Sequence, residues 1–117
     1  MDKPHKNLIA WQKSIELVKE IYDVSNSFPD SEKFGLISQI RRCSISIPSN
    51  IAEGSARGTL KDKKHFYIIA RASLSELDTQ LEIAKMLKYI SKAKYNLIDT
   101  LMIRCDKLLY GLINKIK

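Results

Sequence analysis

The sequence predicts an all-α protein: an up-down-up-down antiparallel four-helix bundle whose second helix is kinked at Pro48. Three observations carry this. Four segments repeat apolar residues every three to four positions. The breaks between them, around Ser25–Asp30, Gly58–Thr59 and Ser91, are short, and short loops join neighbouring helices antiparallel. The 117 residues hold one core, so residues 1–117 read as a single domain.

The first segment runs from about Leu8 to Ser25. Its apolar residues Leu8, Trp11, Ile15, Val18 and Tyr22 follow at spacings of three and four, a seam on one helical face. At 1.5 Å per residue the helix is about 27 Å long. Pro29 opposes its continuation. The second segment runs from about Glu32 to Gly58, with Asp30 or Ser31 as cap and Leu36, Ile40, Cys43, Ile47 and Ile51 as its buried stripe. Pro48 removes the hydrogen bond to the Ser44 carbonyl and allows two readings. One is a single kinked helix. The other is a break, with Cys43–Ile47 alternating as a short strand. A lone five-residue strand has no partner elsewhere in the sequence, which favours the kinked helix.

The third segment, about Leu60 to Ile90, opens on Thr59-Leu60-Lys61-Asp62, a capping box with Asp in place of Glu. Tyr67, Ala70, Leu74, Leu77, Leu81 and Ala84 form its stripe. It is the longest, at about 45 Å. The fourth, about Lys92 to Lys117, has Ser91 as N-cap and a wide apolar face from Ile98 to Ile116. That width predicts packing on two sides or contact with another subunit.

The charge is uneven. Twenty Lys+Arg face 13 Asp+Glu, a net of +7, and the excess begins at the second segment. Such a field attracts nucleic acid or an anionic surface. No run of about 18 apolar residues offers a membrane span. The N-terminal Met1–Trp11 lacks the apolar stretch of a secretory signal. Cys43 and Cys105 have no metal-type spacing, so a cytoplasmic protein with reduced thiols is expected.

Catalytic constellations are missing from the pattern. His5 and His65 stand alone, and no HExxH, CxxC, phosphate-binding or dinucleotide-binding glycine motif occurs. No Glu has a His three residues on, as a di-iron bundle requires. The expectation is a non-enzymatic protein without metal or cofactor. Two other features remain. Asn50, Glu53 and Glu76 are candidates for a polar network or interface, the carboxylates pairing with Arg41, Arg42 or Arg71 across helices. Arg57, Lys61, Lys63, Lys64 and Arg71 gather at the second turn and climb the third helix, with Phe66 and Tyr67 interleaved. Cations at a helix N-terminus oppose the dipole, and a partner anion relieves that cost. These five, followed by Arg41 and Arg42, are the candidate phosphate contacts.

The run from Gly35 to Gly54, centred on Arg41-Arg42-Cys43-Ser44-Ile45-Ser46-Ile47-Pro48-Ser49-Asn50-Ile51-Ala52-Glu53-Gly54, resembles the signature of a bacterial four-helix-bundle family. Its members include proteins encoded in intervening sequences of 23S ribosomal RNA genes. Ala10-Trp11-Gln12-Lys13, Phe28-Pro29 and Ala72-Ser73-Leu74-Ser75-Glu76-Leu77 resemble the family as well, whereas Cys43 stands where the family often has Ala. The resemblance implies a ring-like homopentamer. The chain is also similar to the accessory protein of diversity-generating retroelements, a basic pentamer that binds nucleic acid and a reverse transcriptase. The implied partners are therefore further copies of the chain, RNA or DNA, and a protein such as a reverse transcriptase, but no membrane.

Overall fold

The computed structural model describes residues 1–116, so the expected end of the last helix at Lys117 lies outside the described residues. Four helices follow in order: α1 (Ile9–Ser25), α2 (Leu36–Ser55), α3 (Leu60–Met86) and α4 (Lys92–Asn114). Short 3-10 turns at Pro4–Asn7 and Asp30–Glu32 precede α1 and α2. The helices touch in the cyclic order α1, α2, α3, α4, with α4 closing back on α1. The bundle measures 43 × 25 × 19 Å.

α2 passes through Pro48 without interruption, so the single-helix reading holds and the short strand does not form. Its stripe Leu36, Ile40, Cys43, Ile47 and Ile51 is buried. α2 begins four residues later than expected. Asp30–Glu32 winds as a separate turn, and neither Asp30 nor Ser31 caps the helix. The Glu32 carboxylate instead accepts from the Leu36 N–H at 3.4 Å. The stripe of α3 is also buried from Tyr67 to Ala84. Thr59 Oγ1 accepts from the Asp62 N–H at 3.2 Å and Ser91 Oγ from the Lys94 N–H at 3.1 Å, each satisfying one orphan donor.

The first helix departs from its predicted seam. The core takes Ala10, Ser14, Leu17, Ile21 and Val24, the stripe one residue earlier, while Ile15 and Tyr22 are exposed. Ser14 can be buried because its hydroxyl donates to the Trp11 carbonyl at 2.7 Å. α1 thus carries two apolar stripes, one inside and one out.

α3 stops at Met86 rather than Ile90 because the chain turns left-handed at Lys88 (φ 64°). The Tyr89 N–H reaches back to the Ala84 carbonyl at 2.9 Å and the Lys88 N–H to Lys85 at 3.0 Å, a Schellman termination. A Cβ is unfavourable there. Lys88→Gly is expected to raise stability by about 0.5–1 kcal/mol, read as a higher urea midpoint at unchanged slope.

Candidate nucleic-acid interface

The turn between α2 and α3 brings the predicted cations to one end of the bundle, but most of them already have partners there. α2 ends where α3 crosses closely. A Cβ at Gly54 would lie 2.8 Å from Tyr67 Cε1 and 3.2 Å from the Lys63 carbonyl, so glycine is required by this approach. Lys63 turns back and donates from Nζ to the Ser55 carbonyl at 2.9 Å, covering the negative end of the α2 dipole. Arg57 pairs with Glu53 at 3.1 Å and stacks over Phe66, 4.5 Å to the ring centroid. Phe66 therefore serves a protein cation.

Farther up α3, Arg71 grips Asp106 of α4 with two contacts, Nε at 2.7 Å and Nη2 at 3.3 Å, above the Tyr110 ring. That hydrogen bond holds the guanidinium even more firmly charged. Arg41 stands at the other end of α2. It donates to Ser25 Oγ at 2.8 Å and Asn26 Oδ1 at 2.9 Å, closing the end of α1, and lies over Tyr22. Lys61, Lys64 and Arg42 form no ion pair among the described residues.

The expected cross-helix network is not built. Glu53 pairs within its own helix end, Asn50 donates to the Ser46 carbonyl one turn back at 2.7 Å, and Glu76 accepts from Gln80 at 3.5 Å. The cross-helix partner of Arg71 is Asp106, 35 residues away, a pairing that spacing along one helix does not reveal. Cys43 and Cys105 are core thiols. The Cys43 thiol donates to the Ser73 carbonyl. Burial, and secondarily the charge of Glu76 or Glu16, pushes both thiols up to about 12, where nucleophilic thiolate is negligible at neutral pH. Among the described residues no three His, Cys, Asp or Glu side chains converge as a metal site requires, and no helix is long and apolar enough to cross a membrane.

The fold adds what the linear sequence hides. The Cys43–Ser73 contact joins α2 and α3, and Cys105 of α4 lies close enough to Glu16 of α1 to feel its charge, so these residues serve to divide the four helices into two halves. On one side lie residues 1–16, 46–74 and 104–116. Their cations are Lys3, Lys6, Lys13, Arg57, Lys61, Lys63, Lys64, Arg71, Arg104, Lys107 and Lys115, against Asp2, Glu16, Glu53, Asp62 and Asp106, a net of +6. On the other side, residues 17–45 and 75–103 carry eight Lys+Arg and eight Asp+Glu. The excess charge therefore sits on the half that contains the α2–α3 turn, the start of α1 and the end of α4.

Comparison with known proteins agrees with the fold. The model of the 23S rRNA-intervening sequence protein family matches residues 6–111. The chain is similar to a solved structure from Bacteroides thetaiotaomicron, described as a protein with unknown function from the S23 ribosomal protein family. The two share 26% identity at a TM-score of 0.83, over 90% of this chain and 98% of that one. No curated protein matches the sequence.

Proposed function

The chain belongs to the 23S rRNA-intervening sequence protein family, and from that premise we propose that it is a non-enzymatic, self-assembling helical bundle that binds nucleic acid, structured RNA foremost, through phosphate contacts. The observation that carries this reading is the concentration of the net charge on one half of the bundle. A pole of this kind attracts a polyanion more strongly than the same charge spread evenly. Lys61 and Lys64 are the leading contacts because, among the described residues, no carboxylate holds them. Arg57 and Lys63 border them at the same end. Arg71, Arg41 and Arg42 lie farther away and contribute little. Assembly into a pentamer, as the family resemblance implies, multiplies the field. The setting is cytoplasmic, with reduced thiols.

The reading predicts a binding constant for a structured RNA that falls steeply with salt. Titration at 50 and 200 mM monovalent salt is expected to show a loss of about 10³-fold if six or more phosphates are contacted. Absence of binding at 50 mM refutes it. A second reading, a protein scaffold or adaptor for a partner such as a reverse transcriptase, is favoured by large apolar side chains at the neutral end, where Phe34 is 90% and Met86 71% exposed. Capture of such a partner should survive salt that dissociates RNA.

A further inference from the structure

At the cationic end of the bundle the seam between α1 and α4 is open. A cleft of about 360 Å³ lies there between the first turn of α1 and the last turns of α4, within the range of small-ligand sites, roughly 300–1,000 Å³. Leu8, Ile9 and Ala10 line one wall, and Leu108 and Leu112, one turn apart, line the other. Lys107 and Lys115 stand on the α4 side, and no carboxylate lines the cleft. Neither lysine forms an ion pair among the described residues. An aliphatic trough edged by two unpaired cations is complementary to a molecule with an apolar body and an anionic head.

Gly111 marks the place of the head. Lys107, Gly111 and Lys115 follow at spacings of four, so they share one face of α4 with the glycine between the lysines. The two lysine Cα atoms are about 12 Å apart along the helix, so both flexible side chains can lean over the glycine. Glycine inside a helix is unfavourable relative to alanine. The chain gives no internal reason for it here: its φ is not positive, and an added Cβ would meet nothing within 4 Å. Gly54, by contrast, is demanded by the Tyr67 ring. The space at Gly111 opens on the cleft and lets a ligand approach the helix between the two ammonium groups. The chemistry of the walls selects the body. Nucleobases are held by stacking on aromatic faces, and no aromatic ring lines the cleft. Its walls suit an aliphatic chain.

We propose that the α1–α4 cleft binds a free medium-chain aliphatic carboxylate, its chain laid along Leu8, Leu108 and Leu112 and its head held between Lys107 and Lys115 above Gly111. This activity goes beyond nucleic-acid binding and uses cations other than Lys61 and Lys64.

The test is calorimetric titration of the full chain with decanoate, expected to saturate in the submillimolar range. Trp11, the one tryptophan of the chain, follows Ala10, and its emission is expected to shift with the same midpoint. Octanoate, two methylenes shorter, is expected to bind about tenfold more weakly, and acetate not measurably. Lys107→Gln combined with Lys115→Gln should weaken decanoate binding at least about tenfold. Gly111→Leu fills the gap and should abolish binding while raising the urea midpoint, because leucine is the better helix former. Lys61→Glu combined with Lys64→Glu should leave decanoate affinity unchanged, which separates this site from the RNA reading. No saturable binding, an affinity indifferent to chain length, or binding retained in the Lys107 and Lys115 double variant or in the Gly111→Leu variant overturns the proposal. A lower urea midpoint for Gly111→Leu overturns the part given to the glycine.

Discussion

Replacing Gly54 by valine is expected to destabilise the bundle by about 2–3 kcal/mol, the range of an overpacked core position. The cause is local and steric. The Cβ alone would sit 2.8 Å from one ring carbon of Tyr67 and 3.0 Å from another, and 3.2 Å from the Lys63 carbonyl. Tyr67 is 5% exposed and its hydroxyl lies 3.3 Å from Ser55 Oγ, so the ring has no free space to enter. The carbonyl is backbone inside α3. Relief requires α2 and α3 to separate at the turn where Lys63 covers the α2 carbonyls. The better helix propensity of a non-glycine residue, at most about 1 kcal/mol, is smaller than the clash. Gly58 is the control. A Cβ there meets nothing within 4 Å, and its φ is not positive. Gly58→Val is expected to stay within about 0.5 kcal/mol of the unaltered chain in the same urea titration. Equal losses at the two glycines would show that the close crossing is not what Gly54 serves.

The stripes of α2 and α3 were readable in the sequence because large aliphatic residues mark them, and burial of such residues dominates the helix orientation. α1 was misread for the converse reason. Its core stripe includes Ala10 and Ser14, which carry little hydrophobic weight, while the outer stripe holds Trp11, Ile15 and Tyr22. A serine hydroxyl that returns its proton to its own helix is as acceptable in a core as alanine, and Ser25 and Ser44 do the same. Helix ends depended on turns with weak sequence marks. Lys88 takes a left-handed conformation where glycine is usual, so nothing announced the end of α3.

The basic cluster was visible as a run of residues, but its meaning was not. Arg57, Lys63 and Arg71 have intramolecular roles set by groups that only the fold brings near, and the pole of +6 arises only when antiparallel helices place distant segments at one height. That pole leads to the prediction with the largest effect on binding. Lys61→Glu combined with Lys64→Glu is expected to weaken RNA binding at least tenfold at 50 mM salt and to lower the salt slope by about two. Lys88→Glu combined with Lys92→Glu changes the net charge by the same amount at the neutral end. It is expected to alter affinity by no more than about twofold, because the bundle is 43 Å long and the Debye length at this salt concentration is about 14 Å. Both pairs are exposed or half-exposed, so the fold is retained in each and circular dichroism can verify it. Two models then give different readings from one titration. If total charge alone attracts RNA, both double variants lose affinity equally. If phosphates dock at the α2–α3 turn, only the first pair matters, and the difference between the variants measures how far the charge is focused at that end.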